Sequence, residues 1–224
     1  MKLNADLTKR ALVLSESLPW VDSPVVGVQR RMLERDGDEM ATRATTIVRY
    51  RANRSFTEHI HDLGEEFFVL EGVFSDETGD YGEGMYVRNP PGSRHRPFTR
   101  DGCIIFVKLR QFGLDDANTI RIDTHRTAWL PTDIDGQWVM PLYQSDGAKP
   151  EHVALVKWSP DLVLPAHEHP CGEEIFVISG EFGDEQGLYP AGTWLRNPAG
   201  SAHAAFTRSG VGCVLYVKSG HLSQ

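Results

Sequence analysis

His59-Ile60-His61-Asp62-Leu63-Gly64-Glu65-Glu66-Phe67-Phe68-Val69-Leu70-Glu71-Gly72 returns later in the chain as His167-Glu168-His169-Pro170-Cys171-Gly172-Glu173-Glu174-Ile175-Phe176-Val177-Ile178-Ser179-Gly180. The correspondence continues without a gap. Arg88-Asn89-Pro90 falls on Arg196-Asn197-Pro198, and Phe98-Thr99-Arg100 on Phe206-Thr207-Arg208. Two extra residues in the second copy then precede Cys213-Val214-Leu215-Tyr216-Val217-Lys218, the match to Cys103-Ile104-Ile105-Phe106-Val107-Lys108. Copies of this length are duplicated domains rather than solenoid repeats, because each has enough chain for a core of its own.

Inside each copy the signals are those of β structure. Residues 66–70 and 174–178 are short apolar, β-branched and aromatic runs followed by a glycine, and 103–109 and 213–217 are similar runs between turn residues. Further strands are expected at 25–33, 42–50, 119–123, 137–142 and 152–158, and one helix at 5–16. Many short strands separated by Gly and Pro turns predict an all-β chain with a sandwich or barrel in each half. The expected boundaries are an N-terminal extension at 1–19, a first barrel at 20–110, a linker at 111–124 and a second barrel at 125–224. Gly72, Gly84, Gly92 and their counterparts Gly180, Gly192 and Gly200, with Pro90 and Pro198, are read as turn residues. Tyr50 and Tyr86, matched by Trp158 and Trp194, are read as core fillers.

The histidines carry the chemistry. Six of the nine, His59, His61, His95, His167, His169 and His203, occupy equivalent places in the two copies. Residues two apart on a strand face the same way, so His59 with His61, and His167 with His169, can bring two imidazoles to one point. Glu65 or Glu173, just past a glycine turn, can return a carboxylate on the next strand. His95 or His203, after Asn-Pro-x-Gly-Ser, can add a third imidazole. Three nitrogens and one carboxylate suit a borderline divalent ion such as Zn, Fe, Mn or Ni. An isolated strand histidine is more often an ordinary hydrogen-bonded residue, but recurrence of the whole set at the same spacing favours metal binding. Glu66 and Glu174 alternate with the proposed ligands and are expected to face away, although either could take the carboxylate role. Arg94 and Arg96 flank His95 where Ala202 and Ala204 flank His203, which would make the first rim more basic and the second more open. His125, His152 and His221 have no equivalents and are read as ordinary residues.

Composition limits the partners. The chain has 224 residues, 40% hydrophobic and 24% charged, with a formal charge of -8. Net negative charge opposes binding to phosphate backbones, so nucleic acid is not expected. No apolar run is long enough to span a bilayer and no signal-type cleavage site stands near the N-terminus, so neither membrane nor export is expected. Cys103, Cys171 and Cys213 are odd in number and outside any CxxC pair, which argues against a disulfide framework and fits a reducing cytoplasm.

His-x-His-xxx-Glu-xxxxxx-Gly, followed by Gly-x-x-x-x-Asn-Pro-x-Gly-x-x-His, resembles the two motifs of the cupin superfamily. Residues 65–77, with Tyr86-Val87-Arg88-Asn89-Pro90-Pro91-Gly92-Ser93, are similar to the cupin domain of ChrR-type anti-sigma factors. The resemblance covers both halves and implies a bicupin: two tandem cupin (double-stranded β-helix, jelly-roll) barrels. It also implies a divalent metal, zinc in the ChrR type, held by His59, His61, Glu65 and His95 and again by His167, His169, Glu173 and His203. ChrR-type proteins carry a sigma-binding helical domain with its own His/Cys zinc site before the cupin. The short stretch before the first cupin-like segment here contains neither Cys nor His, so no tight complex with a sigma factor is expected. Two functions follow as expectations: a zinc-binding sensor or regulatory module, or a metal-dependent dioxygenase acting on a small dicarbonyl or hydroxyaryl ketone. A small-molecule ligand or substrate is the expected partner, and barrel edges could also pair into a homodimer.

Overall fold

A computed structural model describes residues 1–113, 116–146 and 150–222, and the chain divides into two compact units. The first unit contains 1–5 and 18–127, the second 6–17 and 128–224. Both are built from antiparallel strands, and the helix expected at 5–16 is absent. In its place Ala11–Leu14 is a strand and Ser15–Ser17 a single 3-10 turn. Tertiary pairing decides this: Ala11-Leu12-Val13-Leu14 lies along Thr193–Asn197, where its apolar residues complete a sheet edge. Among the described residues no helix is long and apolar enough to cross a membrane.

In the first unit the main sheet runs Lys2–Leu3, Val28–Asp36, Arg43–Tyr50, Cys103–Leu109, Glu65–Asp76, Met85–Asn89, Ile120–Asp123. In the second it runs Leu130–Pro131, Gln137–Gln144, His152–Trp158, Cys213–Ser219, Glu173–Asp184, Thr193–Asn197, Ala11–Leu14. Apart from the first strand of each list the two orders correspond, Leu130–Pro131 being matched by Val21–Asp22 rather than by Lys2–Leu3, and the correspondence has one consequence for the boundaries. Residues 11–14, inside the stretch expected as an extension, close the second unit. Residues 120–123, inside the stretch expected as a linker, close the first. Residues 114 and 115 of that stretch lie outside the described residues.

Strand alternation assigns the faces. Phe67, Val69, Val87, Ile105 and Val107 turn one way and form a core with Phe74 and Tyr81, and Ile175, Val177, Leu195 and Leu215 do the same with Phe182 and Tyr189. Glu65 has the parity of Phe67 and Asn89 the parity of Val87, so the period that packs the core also sends these two polar side chains to its end. Tyr50 and Trp158 pack on the cores as expected. Tyr86 and Trp194 are core residues too, outside these two clusters. They are fully buried on the opposite sheet face, where Tyr86 stands beside Phe68 and donates a hydrogen bond to Glu66 at 3.0 Å.

Gly72 and Gly180 also depart from expectation, since neither sits in a reversal. Each lies within a twelve-residue strand, Glu65–Asp76 or Glu173–Asp184, next to a bulge against the neighbouring strand. Their φ values are 73° and 72°, and a Cβ at either would press on the carbonyl oxygen of Gly102 or Gly212. The bulge bends the strand so that its first half pairs in the main sheet and its second with Gly79–Gly82 or Gly187–Pro190.

Candidate metal centres

Two short ladders build each centre. His59–His61 pairs antiparallel with Ser93–His95, setting His59 opposite His95, and His167–His169 pairs with Ser201–His203, setting His167 opposite His203. The second strand of each ladder is launched by a turn. Ser93 donates its N–H to the Pro90 carbonyl at 3.1 Å, and Gly92 donates to the His61 carbonyl at 2.8 Å. Ser201 and Gly200 repeat these bonds to Pro198 and His169.

The result is two imidazole triads. Ring centroids in the first are 4.9, 4.8 and 4.7 Å apart, and in the second 4.9, 4.8 and 5.0 Å. Within each triad one nitrogen per ring lies within 4.8 Å of the others. The Nε2 atoms of His61, His95 and His169 are buried and have no hydrogen-bond partner among the described residues. Glu65 reaches the first triad, its Oε2 standing 3.5 Å from His61 Nε2 and 3.7 Å from His95 Nε2. Glu173 Oε1 stands 3.6 Å from His169 Nε2. The eight residues expected from the motifs therefore gather in two places. Glu66 and Glu174 stay out: Glu66 pairs with Arg88, and Glu174 with His221 at 3.4 Å.

In four of the six rings the outer nitrogen has a partner. His59 Nδ1 is 3.2 Å from the Thr57 carbonyl and His167 Nδ1 is 3.0 Å from the Pro165 carbonyl. His95 Nδ1 faces Asp76 Oδ2 at 3.2 Å and His203 Nδ1 faces Asp184 Oδ2 at 3.4 Å. Donation from Nδ1–H leaves each Nε2 as the free lone pair aimed inward, the tautomer a metal ligand needs. Asn89 Nδ2 donates to Glu65 at 3.0 Å, and Asn197 Nδ2 to Glu173 at 3.3 Å. These supporting residues escaped the reading of the histidine motifs, although Asp76, Asp184, Asn89 and Asn197 are identical between the copies and on that ground could have been picked out.

Electrostatics differ between the centres. Burial pushes the Glu65 carboxyl up, but His61, His95 and His59 outweigh it and hold the group below its usual range. At Glu173 burial dominates and lifts the carboxyl to about 7, with the Asn197 hydrogen bond opposing. The geometry explains the contrast, because Glu65 Oε2 lies between two imidazoles. Burial depresses His61, and together with the neighbouring His203 and His167 it lowers His169 to about 4, favouring neutral rings. At His95 the Asp76 hydrogen bond and Glu65 overcome burial and raise the ring.

One side of each triad is open: His59 is exposed and His167 half-buried, while His95 and His203 are buried. An open cleft of about 510 Å³ is lined by Ser55, Phe56, Thr57, Glu58 and Arg96, the residues beside His59 and His95. Another of about 310 Å³ is lined by His152, Glu168, His169 and Cys171, among others. Arg94 and Arg96, which flank His95, are both exposed, and Arg96 borders the first cleft.

The fold has relatives of known structure. Over 97% of its length the chain is similar to 85% of a candidate dioxygenase from Nostoc punctiforme, at 14% identity and a TM-score of 0.79. Over 98% it is similar to 94% of YlbA from E. coli, at 14% identity and a TM-score of 0.73. Over 96% it is similar to 78% of Bacillus subtilis oxalate decarboxylase, at 13% identity and a TM-score of 0.64. That decarboxylase is a protein with Mn(II) centres. No curated protein matches the sequence. The model of the ChrR cupin-like domain matches twice, over residues 8–113 and 117–223. With nearly the whole chain accounted for by two copies of that domain, each bearing its own imidazole triad, the protein belongs to the ChrR cupin-like family and is a tandem cupin.

Proposed function

We propose that each unit holds one divalent cation, zinc in the first place, through His59, His61, Glu65 and His95 in the first unit and His167, His169, Glu173 and His203 in the second. The protein would then serve as a metal-dependent sensing or regulatory module of the kind its family suggests. One observation carries the reading: the buried Nε2 atoms of His61 and His95 in the first triad, and of His169 in the second, have no hydrogen-bond partner among the described residues. Leaving a buried polar atom unpaired costs about 1–3 kcal/mol, a cost that a bound cation would remove. The donor set of three imidazoles and one carboxylate, with Nδ1 atoms anchored on Asp76, Asp184 and backbone carbonyls, matches what a borderline ion prefers.

A second reading, oxygen-dependent chemistry on a small dicarbonyl or hydroxyaryl ketone, is favoured by the open side at His59 and the cleft beside it. Bound iron(II) would supply positions for substrate oxygen and dioxygen. The protein's part would be to admit the ketone along Ser55–Glu58, to meet its oxygens with Arg96, and to keep the inner imidazoles in one tautomer through Asp76.

Metal analysis of protein purified without chelator separates these readings. Two equivalents of zinc per chain, reduced to one by replacing His59 and His61 together with Ala, is the expected result. A full complement in that variant would show the ligands misassigned. Oxygen uptake by verified iron(II)-loaded protein with a panel of such ketones, abolished by His203→Ala or His95→Ala, would establish the enzyme.

A further inference from the structure

Each centre is backed by an arginine that arrives from the other copy of the repeat. Arg10 lies in the first family match, residues 8–113, yet belongs to the second unit through the strand Ala11–Leu14. Its Nη2 donates to Tyr189 Oη at 2.6 Å and stands 3.5 Å from Asp184 Oδ2, while Nε donates to Asn197 Oδ1 at 3.3 Å. Arg121 lies in the second match, residues 117–223, yet belongs to the first unit through Ile120–Asp123. Its Nη2 donates to Asn89 Oδ1 at 2.6 Å and its Nε to Tyr81 Oη at 3.1 Å.

The two arginines do not occupy equivalent positions in the repeat, but they converge on equivalent residues. Each takes the oxygen of an asparagine amide. With that oxygen committed to a guanidinium, the amide can present only its NH2 to the carboxylate beyond, and Asn89 and Asn197 donate to Glu65 and Glu173. Each also grips a tyrosine, and that tyrosine donates to the aspartate that holds the third histidine: Tyr81 to Asp76 at 3.2 Å and Tyr189 to Asp184 at 2.5 Å. One planar, permanently charged fork thus sets both the carboxylate and an imidazole of a triad, a span that a lysine point charge cannot bridge.

We propose that Arg10 is a positioning residue for the His167, His169, Glu173, His203 centre and Arg121 for the His59, His61, Glu65, His95 centre, so that each repeat sets the metal affinity of the other. The proposal rests on the metal reading above, and the wild-type protein tests that reading first. Wild-type protein that takes up no Co(II) or Zn(II) overturns both. Given binding, Arg10→Ala is expected to weaken the second centre by about ten- to a hundredfold, measured with Zn(II) against a competing chelator, and to leave the first unchanged. To assign the centres, the substitution is repeated in backgrounds lacking His59 and His61, or His167 and His169. The Co(II) absorption bands of the second centre should shift as well, a signature that loss of stability alone would not give. Arg121→Ala should do the same to the first centre. Arg10→Lys and Arg121→Lys, which keep the cation, cover the case in which an alanine variant fails to fold and should weaken the same centres. Wild-type affinity at both centres in the variants, or equal loss at both, would overturn the proposal.

Discussion

At the scale of single residues, the centres depend on carboxylates that would never touch an ion. Asp76 is held well below the usual carboxylate range: burial opposes, but His95 and the Thr78 hydroxyl and N–H more than compensate. It therefore stays an acceptor for His95 Nδ1–H throughout the physiological range. Asp76→Asn replaces a charged acceptor by an amide and should weaken metal at the first centre by about ten- to a hundredfold while leaving the second intact, as titration calorimetry on a one-centre background would show. That six histidines and two glutamates gather in two clusters was legible because the repeat shows each of them twice at the same spacing. Asp76 and Asn89 also recur in both copies, but their roles, like that of Arg121, come from where strands cross rather than from spacing along the chain. Arg10 and Arg121 were hidden further, since aligning the copies does not superpose them.

At the scale of elements, the long bent strands do the positioning. Glu65–Asp76 carries one proposed ligand at one end and, at the other, the aspartate behind the proposed ligand His95, and the bend at Gly72 brings both to one triad. Gly72→Ala would force a side chain into left-handed backbone, costing roughly 1–2 kcal/mol, and would add a Cβ against the Gly102 carbonyl. A destabilisation of at least about 2 kcal/mol is expected from the shift in urea midpoint, with loss of metal at the first centre. The strands at 103–109 and 152–158 appear at the bounds read from their apolar runs. The helix at 5–16 fails because its apolar residues serve a pairing partner nearly the whole chain away, and no local pattern encodes that partner.

At the scale of the molecule, metal and folding should be linked. A ligand that binds only the native form stabilises it by about 2.7 kcal/mol when present at a hundred times its dissociation constant. Stripping the ion with chelator should therefore lower the melting temperature, and returning zinc should restore it. The variant lacking His59 and His61 should keep part of that response through the second unit, and a melting curve indifferent to zinc in both proteins would contradict two structural metal centres. The two-fold division of the chain was legible from the repeat itself. Its seams were not, because each unit takes one strand from beyond the boundary that the motifs suggest.

That reciprocal loan makes the two copies depend on each other. A single copy of the repeat, cut at the family boundaries, carries a strand that here serves the other unit and lacks the one that covers its own sheet edge. Two such molecules lending each other that strand would satisfy both needs at once. The tandem chain meets both needs within one molecule. Covalent linkage makes the loan permanent, while the two copies still differ where arginines flank His95 and alanines flank His203.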